Sequence, residues 1–241
     1  MPIEKDLKPG DRWEFDQAVT DDFEWMLARS IPEYGAMRRT TFEAARRYVR
    51  PNTTVFDLGC SRGRGLEPFV LHTTGRNYGA MRFYALDKSP QMVEACRARF
   101  RGDGRVQCCV SDLLTDPILA NASSTASLVL SVLTLQFLPI EHRQRVLQDA
   151  ADTLMPGGAL VLVEKVLGET PAWDAELVAR YWDHKEEHGY SREEIDAKAK
   201  SLEGVLVPIK ASWNEELLRS VGLRPHRVWQ ALNFCGWVAV K

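Results

Sequence analysis

The chain has 241 residues, 45% apolar and 27% charged, which suffices for one substantial core, and it reads as a single domain over 1–241. Its formal charge of −2 excludes the dense basic footprint of an autonomous nucleic-acid binder, and no apolar run approaches the ~20 residues that span a bilayer. Five cysteines (Cys60, Cys96, Cys108, Cys109 and Cys235) make no Cys-x-x-Cys pair and no histidine accompanies them at ligand spacing, so no metal site is expected. Reduced thiols and an N-terminus unlike a signal peptide point to a soluble, cytoplasmic protein.

The first 50 residues are expected to form a helical cap. From residue 53 onwards, strand-like apolar runs alternate with helical patterns, the signature of a parallel sheet with helices on its faces. The first strand, 53–58, breaks into Asp57-Leu-Gly-Cys-Ser-Arg-Gly63-Arg-Gly65. Glycine permits a sharp turn and close backbone approach to a ligand, and the following helix offers unpaired N–H groups. Ser61 stands where a dinucleotide fingerprint needs its second glycine, so this loop suits S-adenosylmethionine better than a pyrophosphate cofactor. The second strand, 82–87, ends at Asp87, a carboxylate placed for the two ribose hydroxyls. Ser89 and Pro90 then open a helix over 90–100 as N-cap and first-turn residue. The third strand, 105–110, leads to Asp112, where an acid and a backbone N–H can read adenine. A fourth strand, 127–133, a helix over 140–154 ended by Pro156-Gly157-Gly158, and a fifth strand, 159–164, follow. The region 165–212 is a helix-rich insertion expected to shape the substrate site. A short helix at 213–220 precedes two runs, 225–233 and 234–240, that can pair as an antiparallel hairpin. The total is an α/β, Rossmann-like class I methyltransferase fold, with a seven-stranded mostly parallel sheet and helices on both faces.

Several stretches reach beyond the glycine loop: Trp13-Glu-Phe-Asp16, Arg29-Ser-Ile-Pro-Glu-Tyr34, Asp57-Leu-Gly-Cys-Ser61, Ser89-Pro-Gln-Met92, Thr134-Leu-Gln-Phe-Leu138, Pro156-Gly-Gly-Ala-Leu160 with Glu164-Lys165, His188-Gly-Tyr-Ser191, and Asn233-Phe234. Through them the chain resembles the carboxy-S-adenosylmethionine synthases across almost its whole length. These enzymes make the donor used to modify wobble uridine in tRNA. The resemblance implies a homodimer, and it puts Tyr34, Gly59, Cys60, Ser61, Asp87, Lys88, Asp112 and Leu113 at cofactor-contacting positions, beside Asp57 and Gly63 of the loop.

Two departures bear on activity. The arginine that in this family pairs with the extra carboxylate of the carboxylated cofactor aligns with Ala199. Lys198 and Lys200 flank it, but neighbours on a helix point about 100° apart, and ammonium lacks the bidentate fork of guanidinium. An asparagine two residues before Thr134 is Val132 here. Both changes favour ordinary S-adenosylmethionine, with S-adenosylhomocysteine as product, and methyl transfer to a small-molecule acceptor. Trp13, Phe15, Trp25, Tyr34, Tyr181 and Trp182 are candidate walls for an aromatic acceptor. Tyr34, Glu164 and His184 are the candidate catalytic residues; Asp183, Glu187 and His188 share the helical neighbourhood of His184. Two alternatives stand beside this reading: retained carboxy-S-adenosylmethionine synthesis from prephenate with lysine replacing arginine, and a cofactor-binding protein without catalysis.

Overall fold

A computed structural model describes residues 13–14, 16–75, 78–117 and 125–241. Two helices, α1 (Gln17–Ser30) and α2 (Tyr34–Ala45), precede β1 (Thr54–Leu58), α3 (Glu67–His72), β2 (Arg82–Asp87), α4 (Pro90–Arg99), β3 (Val106–Val110) and β4 (Ala126–Val132). Then come α5 (Ile140–Thr153), β5 (Leu154–Leu167), α6 (Pro171–Glu187), α7 (Arg192–Ser201), β6 (Ile209–Lys210), α8 (Ala211–Ser220), β7 (Arg224–Ala231) and β8 (Phe234–Val240).

The sheet runs β3-β2-β1-β4-β5-β8-β7, parallel through β5 and antiparallel over the last two pairings. The expected seven strands are therefore present. A further two-residue strand, β6, pairs with the end of β5 and has too few residues to leave a periodic signal. The expected fifth strand is also longer than its apolar core. It starts at Leu154, directly after α5, so Pro156-Gly157-Gly158 lies within strand and the helix stops at Thr153.

Period-two alternation divides the core. On β5, Leu160 and Leu162 join the α5 and α8 side with Val146 and Leu218. Ala159, Val161 and Val163 join the opposite side with Met37 of α2 and Phe69 of α3. β4 and β8 alternate in the same way, with Val129 and Trp237 on the first side and Leu130 and Val238 on the second. Strands buried on both faces read as continuous apolar runs, which is why the sequence displays them so clearly.

Local chemistry sets the helix ends. Asp16 caps α1 by accepting from the Val19 N–H at 3.0 Å. Ser191 and Glu194 form a reciprocal capping box that starts α7. Gly189, at φ +87°, follows the end of α6, so within the helix-rich insertion α6 and α7 are separate helices. An ion-pair network ties the cap to the core: Arg99 pairs with Glu24 of α1 and with Glu67 of α3 at 2.9 Å, and Arg64 reaches both acids at 3.2 and 2.9 Å. Arg62 adds two hydrogen bonds from its Nη1 to the carbonyls of Thr20 and Asp21, both at 2.9 Å. α1 is thereby fixed beside the glycine loop. Among the described residues, no helix is long and apolar enough to cross a membrane.

Candidate functional site

The strand order reverses between β1 and β4, and a cleft of about 400 Å³ opens there at the C-terminal ends of the strands. α1, α2, α6 and α7 contribute to its walls. It gathers Tyr34, Asp57, Gly59, Cys60, Ser61, Asp87, Lys88, Asp112 and Leu113. Gly63, also predicted for cofactor contact, does not line it. Its φ of +76° makes the turn, and a Cβ there would lie 2.5 Å from the Phe100 ring and 2.7 Å from Cys96 Sγ, so its role is in closing the loop against α4.

Gly59 meets both demands at once. Its φ is +70°, and a Cβ would lie 2.4 Å from Thr134 Cγ2, on a side chain held in place by a 2.8 Å hydrogen bond from its hydroxyl to the Leu58 carbonyl. Ser61 at φ +48° and Leu133 at φ +59° adopt the same left-handed region without being glycine. Each costs on the order of 1–3 kcal/mol, and such strain concentrates at functional sites.

Asp87 organises the loop. Its Oδ2 accepts from the Ser61 N–H at 2.8 Å and its Oδ1 from the Ser89 N–H at 2.9 Å, which leaves each oxygen a second lone pair. Asp112 Oδ1 accepts from the Leu114 N–H at 2.9 Å, turning the chain after β3 so that Leu113 is buried against the cleft. Asp57, on the cleft face of β1, is 2% exposed, and its Oδ2 is buried with no hydrogen-bond partner. Burial, with the nearby Asp87 charge adding to it, pushes the Asp57 carboxyl up to about 7. An orphaned buried acceptor, a two-oxygen carboxylate beside a glycine turn and a buried apolar edge fit a nucleoside carrying a cationic amino-acid tail.

This geometry predicts a proton linkage. A carboxyl raised from about 4 in the unfolded chain binds a proton in the folded state over that window, so stability falls as pH rises from about 4 through 7. A cationic ligand favours ionised Asp57, so binding at pH 6 is expected to release a proton. Calorimetry in buffers of different ionisation enthalpy should detect that release, and Asp57→Asn should abolish it.

The candidate catalytic residues separate. Tyr34 lines the cleft, and burial raises its phenol pKa. Glu164 does not line the cleft, a correction to the expected position. It shares the face of Leu160 and Leu162, and its two oxygens accept from the N–H groups of Leu135 at 2.9 Å and Gln136 at 2.7 Å. Because the strand continues to Leu167, alternation sends Lys165 into the cleft instead. His184 is likewise outside the cleft; it lines a second hollow with His188, Glu33 and Arg38. Burial and then the His188 charge lower its pKa.

Of the expected aromatic walls, Trp13, Tyr34, Tyr181 and Trp182 line the cleft. Trp25 is at the surface under the Arg29 guanidinium, 4.0 Å from its ring centroid, and Phe15 lies outside the described residues.

Three lysines were not anticipated as a group. Lys165, Lys185 and Lys198 all line the cleft. Their ammonium groups lie over aromatic rings: Lys165 over Tyr181 at 4.6 Å, Lys185 over Tyr181 at 4.9 Å, and Lys198 over Trp13 at 4.9 Å. Burial lowers Lys165 to about 8. Lys198 and Ala199 both line the cleft despite their angular separation, whereas Lys200 turns outward to an ion pair with Asp196 at 2.8 Å. In sequence Lys198 stands out only as a neighbour of Ala199, and the three lysines lie on β5, α6 and α7, so only the sharing of Tyr181 and its neighbours reveals the cluster.

Comparison with known proteins agrees with this architecture. Residues 55–158 match the methyltransferase domain family. Carboxy-S-adenosyl-L-methionine synthase from Methylococcus capsulatus is 37% identical over 235 residues, covering 96% of this chain and 94% of that protein. The enzyme of the same name from Shewanella piezotolerans is 34% identical over 233 residues, covering 95% and 93%. Among solved structures, an O-methyltransferase family protein from Burkholderia thailandensis superposes with a TM-score of 0.63 at 20% identity, over 94% of this chain and 60% of that one. Human N-acetylserotonin methyltransferase, solved with S-adenosylmethionine, gives 0.60 at 15% identity, over 93% and 55%. These structures share the fold; the sequence relatives go further. The chain is a methyltransferase-type enzyme with S-adenosylmethionine as its cofactor, and it belongs to the family of the carboxy-S-adenosyl-L-methionine synthases.

Proposed function

We propose that this enzyme transfers a methyl group from ordinary S-adenosylmethionine to a small planar metabolite bearing an anionic group. The observation that carries the reading is Ala199: a methyl side chain lines the cleft where the family pairs an arginine with the cofactor's extra carboxylate. When bound, S-adenosylmethionine supplies a methyl carbon activated on a sulfonium, open to in-line attack. Asp87 would hold the ribose hydroxyls, Asp112 and the Leu113 N–H the adenine edge, and the Asp57 carboxylate the methionine end. Gly59, Cys60, Ser61 and Lys88 line the path between them, and Tyr34 stands at the rim. Trp13 and Tyr181 give a planar acceptor apolar walls that exclude water, while Lys165, Lys185 and Lys198 supply positive charge for its anionic group. Holding two reactants at attack distance supplies much of the rate, so no strong base is required. The family resemblance adds a homodimer to the proposal.

The lysine cluster also favours a second reading, retained carboxy-S-adenosylmethionine synthesis, with Lys198 meeting the carboxylate from the position next to Ala199. Mass spectrometry of the small molecules released on denaturing freshly purified protein separates the two. Ordinary S-adenosylmethionine or S-adenosylhomocysteine is expected; the carboxylated form would overturn methyl transfer in favour of the second reading. Ala199→Arg is expected to tighten binding of the carboxylated cofactor by about 30-fold or more, the worth of a charge-assisted bidentate pair of about 2–3 kcal/mol, without tightening the ordinary one. Calorimetric titration with the two cofactors checks this.

A further inference from the structure

At the C-terminal end of α6, outside the cleft, His184, Glu187 and His188 stand at positions i, i+3 and i+4, on one helix face. Each offers one ligand atom, and these atoms all lie within 4.8 Å of one another. The two imidazole rings are 4.1 Å apart, centroid to centroid.

The ring nitrogens are arranged for coordination. His188 Nδ1 lies 2.7 Å from the His184 carbonyl, a bond in which Nδ1 carries the proton and the Nε2 lone pair stays available. Metal-bound histidines are commonly fixed in this way, by a second-shell carbonyl on the other nitrogen. His184 Nε2 is buried and has no hydrogen-bond partner, although a buried nitrogen normally finds one. The His188 carbonyl is itself held by Arg29 Nε at 2.6 Å, which anchors the helix end to α1. Glu33, at the start of α2, lines the same hollow as the two histidines.

From this arrangement we infer that His184, Glu187 and His188 form a binding site for a divalent transition cation of the zinc class, which the sequence spacing around the cysteines did not suggest. Two imidazoles and one carboxylate make a borderline donor set that selects such ions over magnesium or calcium. Tetrahedral ligands on zinc are separated by roughly 3.3 Å, given bonds near 2.0 Å, so rotation of the exposed Glu187 side chain, with the His188 Nδ1 bond kept, draws the group in around the ion. A fourth position stays open to water or to Glu33. With Glu33 as the fourth ligand, the cation would tie the end of α6 to the start of α2, whose Tyr34 lines both this hollow and the cleft. The inference does not depend on which group the enzyme transfers.

The test is titration of the untagged, chelator-stripped full chain with Co²⁺ alone, followed by its visible absorption bands and by calorimetry. One equivalent is expected to bind. His188→Ala and Glu187→Gln, both at exposed positions, are each expected to weaken binding at least about tenfold, and Cys96→Ser and Cys108→Ser to leave it unchanged. Absence of a bound ion in the unaltered chain, equal affinity in His188→Ala, or a cobalt–thiolate band lost with the cysteines would each overturn the assignment.

Discussion

Asp87→Ala is expected to weaken S-adenosylmethionine binding about 100-fold, with little change in overall fold. Two effects combine. The lone pairs left on Oδ1 and Oδ2 are those proposed for the ribose hydroxyls, and charge-assisted hydrogen bonds are worth about 1.5–3 kcal/mol each. The same oxygens hold the N–H groups of Ser61 and Ser89, so the variant also frees a loop whose Ser61 sits at φ +48°. A strained residue released from its acceptor relaxes, and the turn that approaches the ligand is no longer prepared for it. Asp87→Asn should fall between, because an amide keeps one acceptor but sets an NH₂ against one of the two backbone donors. Calorimetric titration gives the affinities, and a change below about threefold for the alanine variant would remove Asp87 from the cofactor site.

Glu164→Ala should damage folding rather than binding, with a loss of about 3–5 kcal/mol. The carboxyl is 2% exposed and accepts from two backbone N–H groups, those of Leu135 and Gln136. Removing it orphans both donors at about 1–3 kcal/mol each and leaves a small cavity besides. In a chain of this size that corresponds to a fall in Tm of roughly 10 °C. Burial pushes Glu164 up to about 8, against the pull of its N–H partners, so the folded state retains a proton that the unfolded chain loses above about 4.3. Its contribution therefore weakens as pH rises from about 4 through 8, and the penalty of the alanine variant should shrink over the same range. Glu164→Gln, which can satisfy one of the two donors, is expected to recover part of the loss. Thermal unfolding at several pH values measures all of this. An alanine variant as stable as the parent would show that the 135–137 turn finds other acceptors.

Much of the site was legible because its parts are local. A strand that ends at Leu58 just after Asp57, a left-handed glycine at 59 and acids at 87 and 112 each declare themselves within a few residues, and parallel strand ends must converge on one edge of a sheet. Gly63 shows the limit of that logic, since glycine serves close packing as readily as ligand approach, and the Phe100 ring that decides between them is 37 positions away in sequence.

The face of a strand residue is harder to read once the strand's end is misplaced. Setting the end of β5 at 164 suggested that Glu164 faced the ligand. The strand continues to Leu167, and period-two alternation turns Glu164 to the α5 side and Lys165 to the cleft. The lysine cluster was still less visible, because Lys165, Lys185 and Lys198 come from one strand and two separate helices and meet only when α6 and α7 fold over the sheet. Sequence alone determined the doubly wound sheet, the cofactor loop and the family, all of which rest on local backbone demands and hydrophobic period. Tertiary structure decided which charges line the cleft and which histidines face each other, because those depend on how distant elements are packed and no local pattern encodes that distance.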